Sequence, residues 1–313
     1  MYGIKELKFF STKSLARYLG EPEAVLLRIA NEQAKHYRFK QGVLIKNKKR
    51  DFYVPDYKLN RILKKVDKKI LNKVNWPKSF VGGIKGRDLK MNAKMHSNQT
   101  VILKVDIKEF YPSITPDNVK KALSNLGIKN EPLSILTRLM TVKGEKPHLP
   151  QGFCTSPKIA ALVLLPIDRR LHGIKNKHEI TYSFWIDDLT ISGKFSVGRL
   201  KNLVVKIIKE EGFECHKIKT LTQRDRMVVT GVIVNKFPNI KKEQRQKIES
   251  TLSHLLRSGL EGYLIDKEIK VNEENLDGLK NYLLGTVHQI ISINPELGAK
   301  YKKKLLTILE RDF

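Results

Sequence analysis

Residues 101–107 read VILKVDI, and residues 182–192 read YSFWIDDLTIS. The first stretch is a β-branched run that carries Asp106 near its end, so it reads as a strand. The second is two short strand-like runs, 182–186 and 189–192, parted only by Asp187 and Asp188. That pattern predicts a hairpin with two carboxylates at its tip. Adjacent acids at an apolar tip repel, and one of them resists ionising unless a cation sits between them. Magnesium answers that need, since it takes one or two carboxylates and fills its shell with phosphate oxygens and water. A pair of such ions about 3.5–4 Å apart can activate a hydroxyl and steady the leaving oxygen of a phosphoryl transfer. An Asp-Asp turn without any metal has the same local spelling, because Asp is a favoured turn residue. The surroundings decide between the two.

Between Asp106 and the pair lies LPQGFCTSPKIA, residues 149–160. Pro150 and Gly152 mark a turn, and Thr155, Ser156 and Pro157 read as a helix start. A turn that opens into a helix is a usual approach to phosphate. DIKEFYPSI, residues 106–114, places two aromatics, Phe110 and Tyr111, just beyond the first carboxylate.

Farther out, residues 12–38 read as two helices and 43–54 as a basic hairpin. Leu59, Ile62, Leu63, Val66, Ile70 and Val74 share one face of a helix whose other face is basic, with Lys58, Arg61, Lys65, Lys68 and Lys69. Solvent and nucleic acid both suit that face. Helices are expected at 116–126, 131–141 and 156–172, the last bent at Pro166. A helix at 197–211 and strands near 213–219 and 226–234 follow. Beyond Pro238 the pattern is helical, at 241–257, 273–291 and 295–311. Strands mixed with helices, then helices alone, define an α+β fold with a helical C-terminal module.

The chain has 313 residues, 41% of them hydrophobic, which predicts more than one subdomain. Its 60 Lys and Arg against 32 Asp and Glu give a net charge of +28 spread along the whole length. A field of that sign attracts polyanions, nucleic acid first. Cys154 and Cys215 cannot build a disulfide framework. No apolar run approaches the roughly 20 residues of a membrane span, and MYGIKELKFF lacks the apolar core of a secretory signal. The expectation is a cytoplasmic protein with no membrane partner.

DIKEFYPSI, LPQGFCTSP and WIDDLTIS, in that order and spacing, resemble the palm motifs of reverse transcriptases. Asn92-Ala93-Lys94-Met95-His96 resembles the N-A-x-x-H signature of the retron branch. Val229-Thr230-Gly231 resembles the V-T-G element at its palm–thumb boundary. The resemblance covers roughly residues 40–240 by motif. It implies a right-hand polymerase fold: fingers and N-terminal helices at 1–100 with part of 115–150, a palm at 101–238, and a helical, RNA-binding thumb at 239–313.

The resemblance further implies that Asp106, Asp187 and Asp188 bind two magnesium ions, with the Ile107 carbonyl as an added ligand. Tyr111 falls at the steric-gate position, beside Phe110, and Gln151 where a glutamine touches the incoming dNTP. Arg50, with Lys49 beside it, resembles the fingers arginine that clasps a triphosphate, a task suited to a guanidinium fork. Asn92 and His96 are candidates to touch RNA or to stitch a loop. Lys241, Lys242, Arg245 and Lys247 are candidates to hold the duplex backbone, by charge and shape.

Retron enzymes copy part of a structured non-coding RNA into a short branched RNA–DNA molecule, msDNA, in anti-phage defence with an effector protein. That activity, and a place in a higher-order complex, are what the resemblance implies. Other bacterial reverse transcriptases, intron-like or diversity-generating, share the palm motifs; no maturase or endonuclease extension follows residue 313, which argues against the intron type. A catalytically weak RNA-binding scaffold is the further alternative. Its motivation is Trp185 for the family's usual Tyr, Phe153 for a small residue and Ala161 for Asn.

Overall fold

In the computed structural model, which describes residues 11–45, 48–194 and 197–311, the chain opens with two helices, α1 (Thr12–Leu19) and α2 (Glu23–Asn31). Ser11 caps α1 through a reciprocal hydrogen-bond pair with Ser14, and Gly20 ends it in the left-handed conformation. Helix was expected to run on to 38. Instead a single turn at Gln33–His36 leads into β1 (Tyr37–Ile45), which pairs antiparallel with β2 (Lys48–Pro55). The hairpin is thus longer than the expected 43–54, and a register shift lies between Lys40 and Val43. The Gly42 N–H there donates to the Asp51 carboxylate at 2.8 Å.

Asp56 caps α3 (Tyr57–Lys69) by accepting the Leu59 N–H at 2.8 Å. Leu59, Ile62, Leu63 and Val66 are buried, as the periodicity requires. The basic face is largely occupied within the protein. Arg61 and Lys65 both pair with the buried Glu21, at 2.7 and 2.6 Å, and the Lys69 ammonium donates to the Tyr18 carbonyl. Helix α4 (Leu89–Met95) precedes β3 (Val101–Ile107). A helical turn α5 (Phe110–Ser113), then α6 (Pro116–Ser124) and α7 (Asn130–Met140), lead on to α8 (Ser156–Val163) and α9 (Leu165–His178). The last two were expected as one bent helix. The chain breaks at Leu164, and Pro166 sits in the first turn of α9, where its missing N–H costs nothing.

Strands β4 (Thr181–Trp185) and β5 (Asp188–Gly193) form the expected hairpin, α10 (Lys201–Glu210) follows, and β6 (Cys215–Thr222) completes a sheet of order β4-β5-β3-β6. Leu103, Val105, Ile107, Leu189 and Ile191 join the main apolar core. Lys104, Asp106 and Asp188, on the alternate positions, are only partly covered.

Two compact units result: Met1–Arg87 with Val101–Thr220, and Asp88–Thr100 with Leu221–Phe313. The cuts differ from the expected boundaries at 100 and 238. Residues 88–100 are tied to the later segment, since the Asn98 N–H donates to the Val234 carbonyl at 3.1 Å. The second unit holds a small ladder, β7 (Val228–Val229) with β8 (Val232–Ile233), and three helices. These are α11 (Lys242–Asp266), kinked at Gly259, α12 (Glu273–Ile293) and α13 (Pro295–Arg311). Leu252, Leu255, Leu283, Val287, Ile290 and Tyr301 are among their buried side chains. No described helix is long and apolar enough to cross a membrane.

Candidate active site

The carboxylates converge because of strand register. Asp106 is the cross-strand partner of Asp188, and Asp188 is also the partner of Trp185 on the other side. Asp188 is therefore a strand residue and not part of the hairpin tip, as the sequence had suggested. The tip is Ile186 and Asp187. Ile186 has φ of +61°, a left-handed conformation costly for a β-branched residue. The Ile107 N–H donates to the Asp187 carbonyl at 3.2 Å, which fastens the tip to the end of β3.

Asp106, Ile107 and Asp187, with Asp188 set behind them outside the lining, border a cleft of about 650 Å³ together with Phe110, Tyr111, Gln151 and Arg50. All seven were singled out from the sequence. The cleft also takes in Phe39, Asp51, Tyr53, His148 and His216, which the motifs did not reveal. Lys49 lies outside the described side chains. Phe110 borders the cleft but is buried, its ring 5.8 Å from that of Phe213.

The LPQG loop is bound to the β1–β2 hairpin. The Tyr53 N–H donates to the Gln151 carbonyl at 2.9 Å. Gly152, at φ +122°, packs so closely that a Cβ there would lie 2.4 Å from the Tyr53 carbonyl oxygen. Phe153 turns away from the cleft and is buried, edge-on to Tyr37. The replacement of a small residue here fills core volume.

Burial pushes the Asp187 carboxyl above its ordinary range; its own N–H and the Arg50 guanidinium oppose that, while the charges of Asp106 and Asp188 add to it. Burial likewise raises the Tyr111 hydroxyl, and Asp187 adds to the effect. Arg50, Tyr111 and Asp187 thus sense one another's fields across the cleft. Asp188 is answered by a residue the motifs did not mark: the Lys104 ammonium lies 3.0 Å from its Oδ2. Strand alternation put Lys104 on the Asp106 face, a signal already present in VILKVDI.

Among the described residues no three of His, Cys, Asp and Glu stand close enough to hold a metal ion by themselves. The donor set still fits magnesium. Its three carboxylates offer hard oxygens, and the strain on Asp187 is the kind a divalent cation relieves. Magnesium draws only one or two protein carboxylates and takes phosphate oxygens for other positions.

In the second unit, Asn92 and His96 are fully buried. Asn92 donates to the Thr230 hydroxyl at 3.3 Å, so the N-A-x-x-H and V-T-G motifs meet one another. Of the two roles expected for this motif, RNA contact or the stitching of a loop, the Asn92–Thr230 bond is of the second kind. Lys242, Arg245 and Lys247 are exposed and Lys241 partly so, on the first turns of α11. Lys242, Arg245 and Lys300 border a cleft of about 570 Å³. Glu249 holds Arg245 at 3.2 Å and accepts the Tyr301 hydroxyl at 2.7 Å.

A family described as reverse transcriptase (RNA-dependent DNA polymerase) matches residues 45–234. Among curated proteins, the Retron Mx65 reverse transcriptase of Myxococcus xanthus is 30% identical over 80% of this chain and 60% of its own length. The Retron Ec86 reverse transcriptase of Escherichia coli is 28% identical over 66% of this chain and 65% of its own. The Retron Se72 reverse transcriptase of Salmonella heidelberg (strain 579083-10) is 30% identical over 76% and 65%. The chain spans 60 to 65% of the length of these relatives.

Proposed function

This chain belongs to the reverse transcriptase family, and on that footing we propose that it is an RNA-directed DNA polymerase of the retron kind. It copies part of a structured non-coding RNA into a short single-stranded DNA, the branched msDNA, within an anti-phage defence system that includes an effector protein. The observation that carries the enzymatic part is the register pairing of Asp106 with Asp188, and the lining of one cleft by Asp106 and by Asp187 of the adjoining turn with Arg50, Tyr111 and Gln151.

The assignment of parts follows the right-hand plan: fingers from the N-terminal helices and the β1–β2 hairpin, palm from the β4-β5-β3-β6 sheet, thumb from α11 to α13. Asp106, Asp187, Asp188 and the Ile107 carbonyl would hold two magnesium ions. Bound there, magnesium lowers the pKa of the primer hydroxyl and neutralises charge on the triphosphate of a dNTP and on the departing pyrophosphate. The primer oxygen forms its bond to the α-phosphorus as the α–β bridging bond breaks, and the hydroxyl proton passes to solvent. Arg50 forks onto the triphosphate. The Tyr111 ring fills the space a 2′-hydroxyl needs, and Gln151 meets the incoming nucleotide. Lys241, Lys242, Arg245 and Lys247 carry the phosphate backbone.

Primer extension on an RNA template with magnesium and dNTPs tests the polymerase. Wild type extends, and Asp187→Asn/Asp188→Asn does not. No extension by either one leaves the RNA-binding scaffold. A branched RNA–DNA species of fixed length in cells that carry the enzyme with its RNA separates the retron reading from other bacterial reverse transcriptases.

A further inference from the structure

Residues 76–87, WPKSFVGGIKGR, form neither helix nor named strand, yet they run along the outer edge of β4. Phe80 and Phe184 make a parallel bridge, and their rings stack with centroids 4.8 Å apart. The Phe184 N–H donates to the Ser79 carbonyl at 2.7 Å; the Val81 and Gly82 N–H groups donate to the Phe184 carbonyl at 2.9 and 3.2 Å. The segment is anchored at three further points. The Arg87 guanidinium donates to the carbonyls of Trp76, Pro77 and Phe80. The Ser79 hydroxyl donates to Asp168, a fully buried carboxylate that also accepts the Tyr182 hydroxyl at 2.9 Å. Gly83, at φ +74°, lies against Pro157, where a Cβ would come within 2.4 Å of the proline Cβ.

Gly82 lies behind the hairpin tip. A Cβ there would stand 2.7 Å from the Ile186 nitrogen and 2.9 Å from the Trp185 Cα and carbonyl carbon. These are backbone atoms, which cannot swing aside as a side chain can. Ile186 is also the residue held at φ +61°. Such a conformation persists only where the surroundings over-determine it. We propose that residues 79–83 are a strap that holds the Ile186–Asp187 turn in its strained form, with Gly82 as the positioning residue for Asp187. The proposal rests on the polymerase reading for its kinetic consequence, though not for its structural one.

The test is Gly82→Ala, with Gly173→Ala as control. Gly173 lies on α9 with open space around it. Relief of the contact to about 3.4 Å moves the turn by about 0.7 Å. A displacement approaching 1 Å costs about 100-fold in rate. In Gly82→Ala the single-turnover incorporation rate should fall by roughly that factor, while KM for dNTP changes less than about threefold, as expected for a loss confined to the transition state. Adding Ile186→Gly, which removes the side-chain penalty at positive φ, should recover at least about tenfold of the rate. Amide exchange across residues 184–188 should quicken in Gly82→Ala and not in Gly173→Ala. That readout needs no activity, so a wild type that extends nothing defeats the polymerase reading and leaves the strap to the exchange data. Unchanged exchange at 184–188, a rate within threefold of wild type, or a loss that merely follows the unfolded fraction overturns the strap.

Discussion

Replacing Lys104 by Met removes a charge and keeps most of the side-chain length, and it should tighten divalent-metal binding. Nζ lies 3.0 Å from the Asp188 Oδ2. A magnesium ion on that carboxylate, at about 2.1 Å from oxygen, would share it with the ammonium at a separation of about 5 Å. A double and a single positive charge at about 5 Å repel by about 1.7 kcal/mol in bulk water. A Debye length of about 8 Å at physiological salt roughly halves that, to about 0.9 kcal/mol. The two bounds correspond to about 5- to 20-fold in affinity. The same substitution leaves Asp188 beside Asp106 without its counter-charge, so the metal-free protein should lose up to about 1 kcal/mol, the scale of a partly exposed pair. Calorimetric titration with magnesium gives the affinity, and thermal unfolding in chelator and in saturating magnesium gives the stability. The variant should melt earlier in chelator, the gap should close in magnesium, and Lys104→Arg should behave as wild type. A magnesium affinity for Lys104→Met equal to or weaker than wild type refutes the reasoning.

Gly152→Ala should destabilise by about 2–4 kcal/mol, from strain at φ +122° and loss of the Tyr53–Gln151 hydrogen bond; urea unfolding measures it, together with a raised KM for dNTP. Tyr111→Ala should cut discrimination against ribonucleotides by about 100-fold, the scale on which a pocket rejects one hydroxyl by shape, read from kcat/KM for matched dNTP and rNTP pairs. Asp56→Ala should cost about 1 kcal/mol at neutral pH through loss of the α3 cap. Burial alone would raise the Asp56 carboxyl, but the Leu59 N–H and His36 hold it below its ordinary value. Its contribution is therefore present above the unfolded-state pKa of about 3.9 and lost as pH falls through the lower folded value, so wild type and variant should converge in acid.

Much of this site could be read from side-chain type and spacing. VILKVDI announces a strand that brings Asp106 to one edge of the cleft, and alternation alone puts Lys104 on the same face. The hairpin of 182–192 was legible, but its turn was misplaced by one residue. Local spelling favours Asp-Asp as the tip, whereas the observed two-residue turn puts Ile186 at the positive φ such turns require of their first residue, a place where a β-branched side chain is not expected. The basic face of α3 was equally clear, yet its use was not. Arg61 and Lys65 answer Glu21, some 40 positions upstream, and no periodicity reports a partner that distant. Asn92 and His96 were spelled out as a motif whose burial becomes visible only once Thr230 is placed against it.

Asp187 and Asp188 show how far surroundings alone separate two identical groups. They are neighbours in sequence with the same side chain, and their surroundings differ. Asp188 is a strand residue with a lysine at 3.0 Å and ladder partners on both sides. Asp187 is on a strained turn, half-buried, with its carboxyl pushed upward and no comparably close cation described. One acid thus has a counter-charge supplied by the protein itself. The other has only the field of Arg50 from within the protein, and on the proposed function a divalent ion carried in with a triphosphate would supply the remainder. On the proposed function such a site would gather its full cationic complement as substrate arrives, and the turn that bears Asp187 is the one the Gly82 strap presses against. Position at Asp187 and counter-charge at Asp188 are therefore set by two separable devices, Gly82 and Lys104, and the free-energy effects of substitutions at the two should add unless the turn moves Asp188 as well.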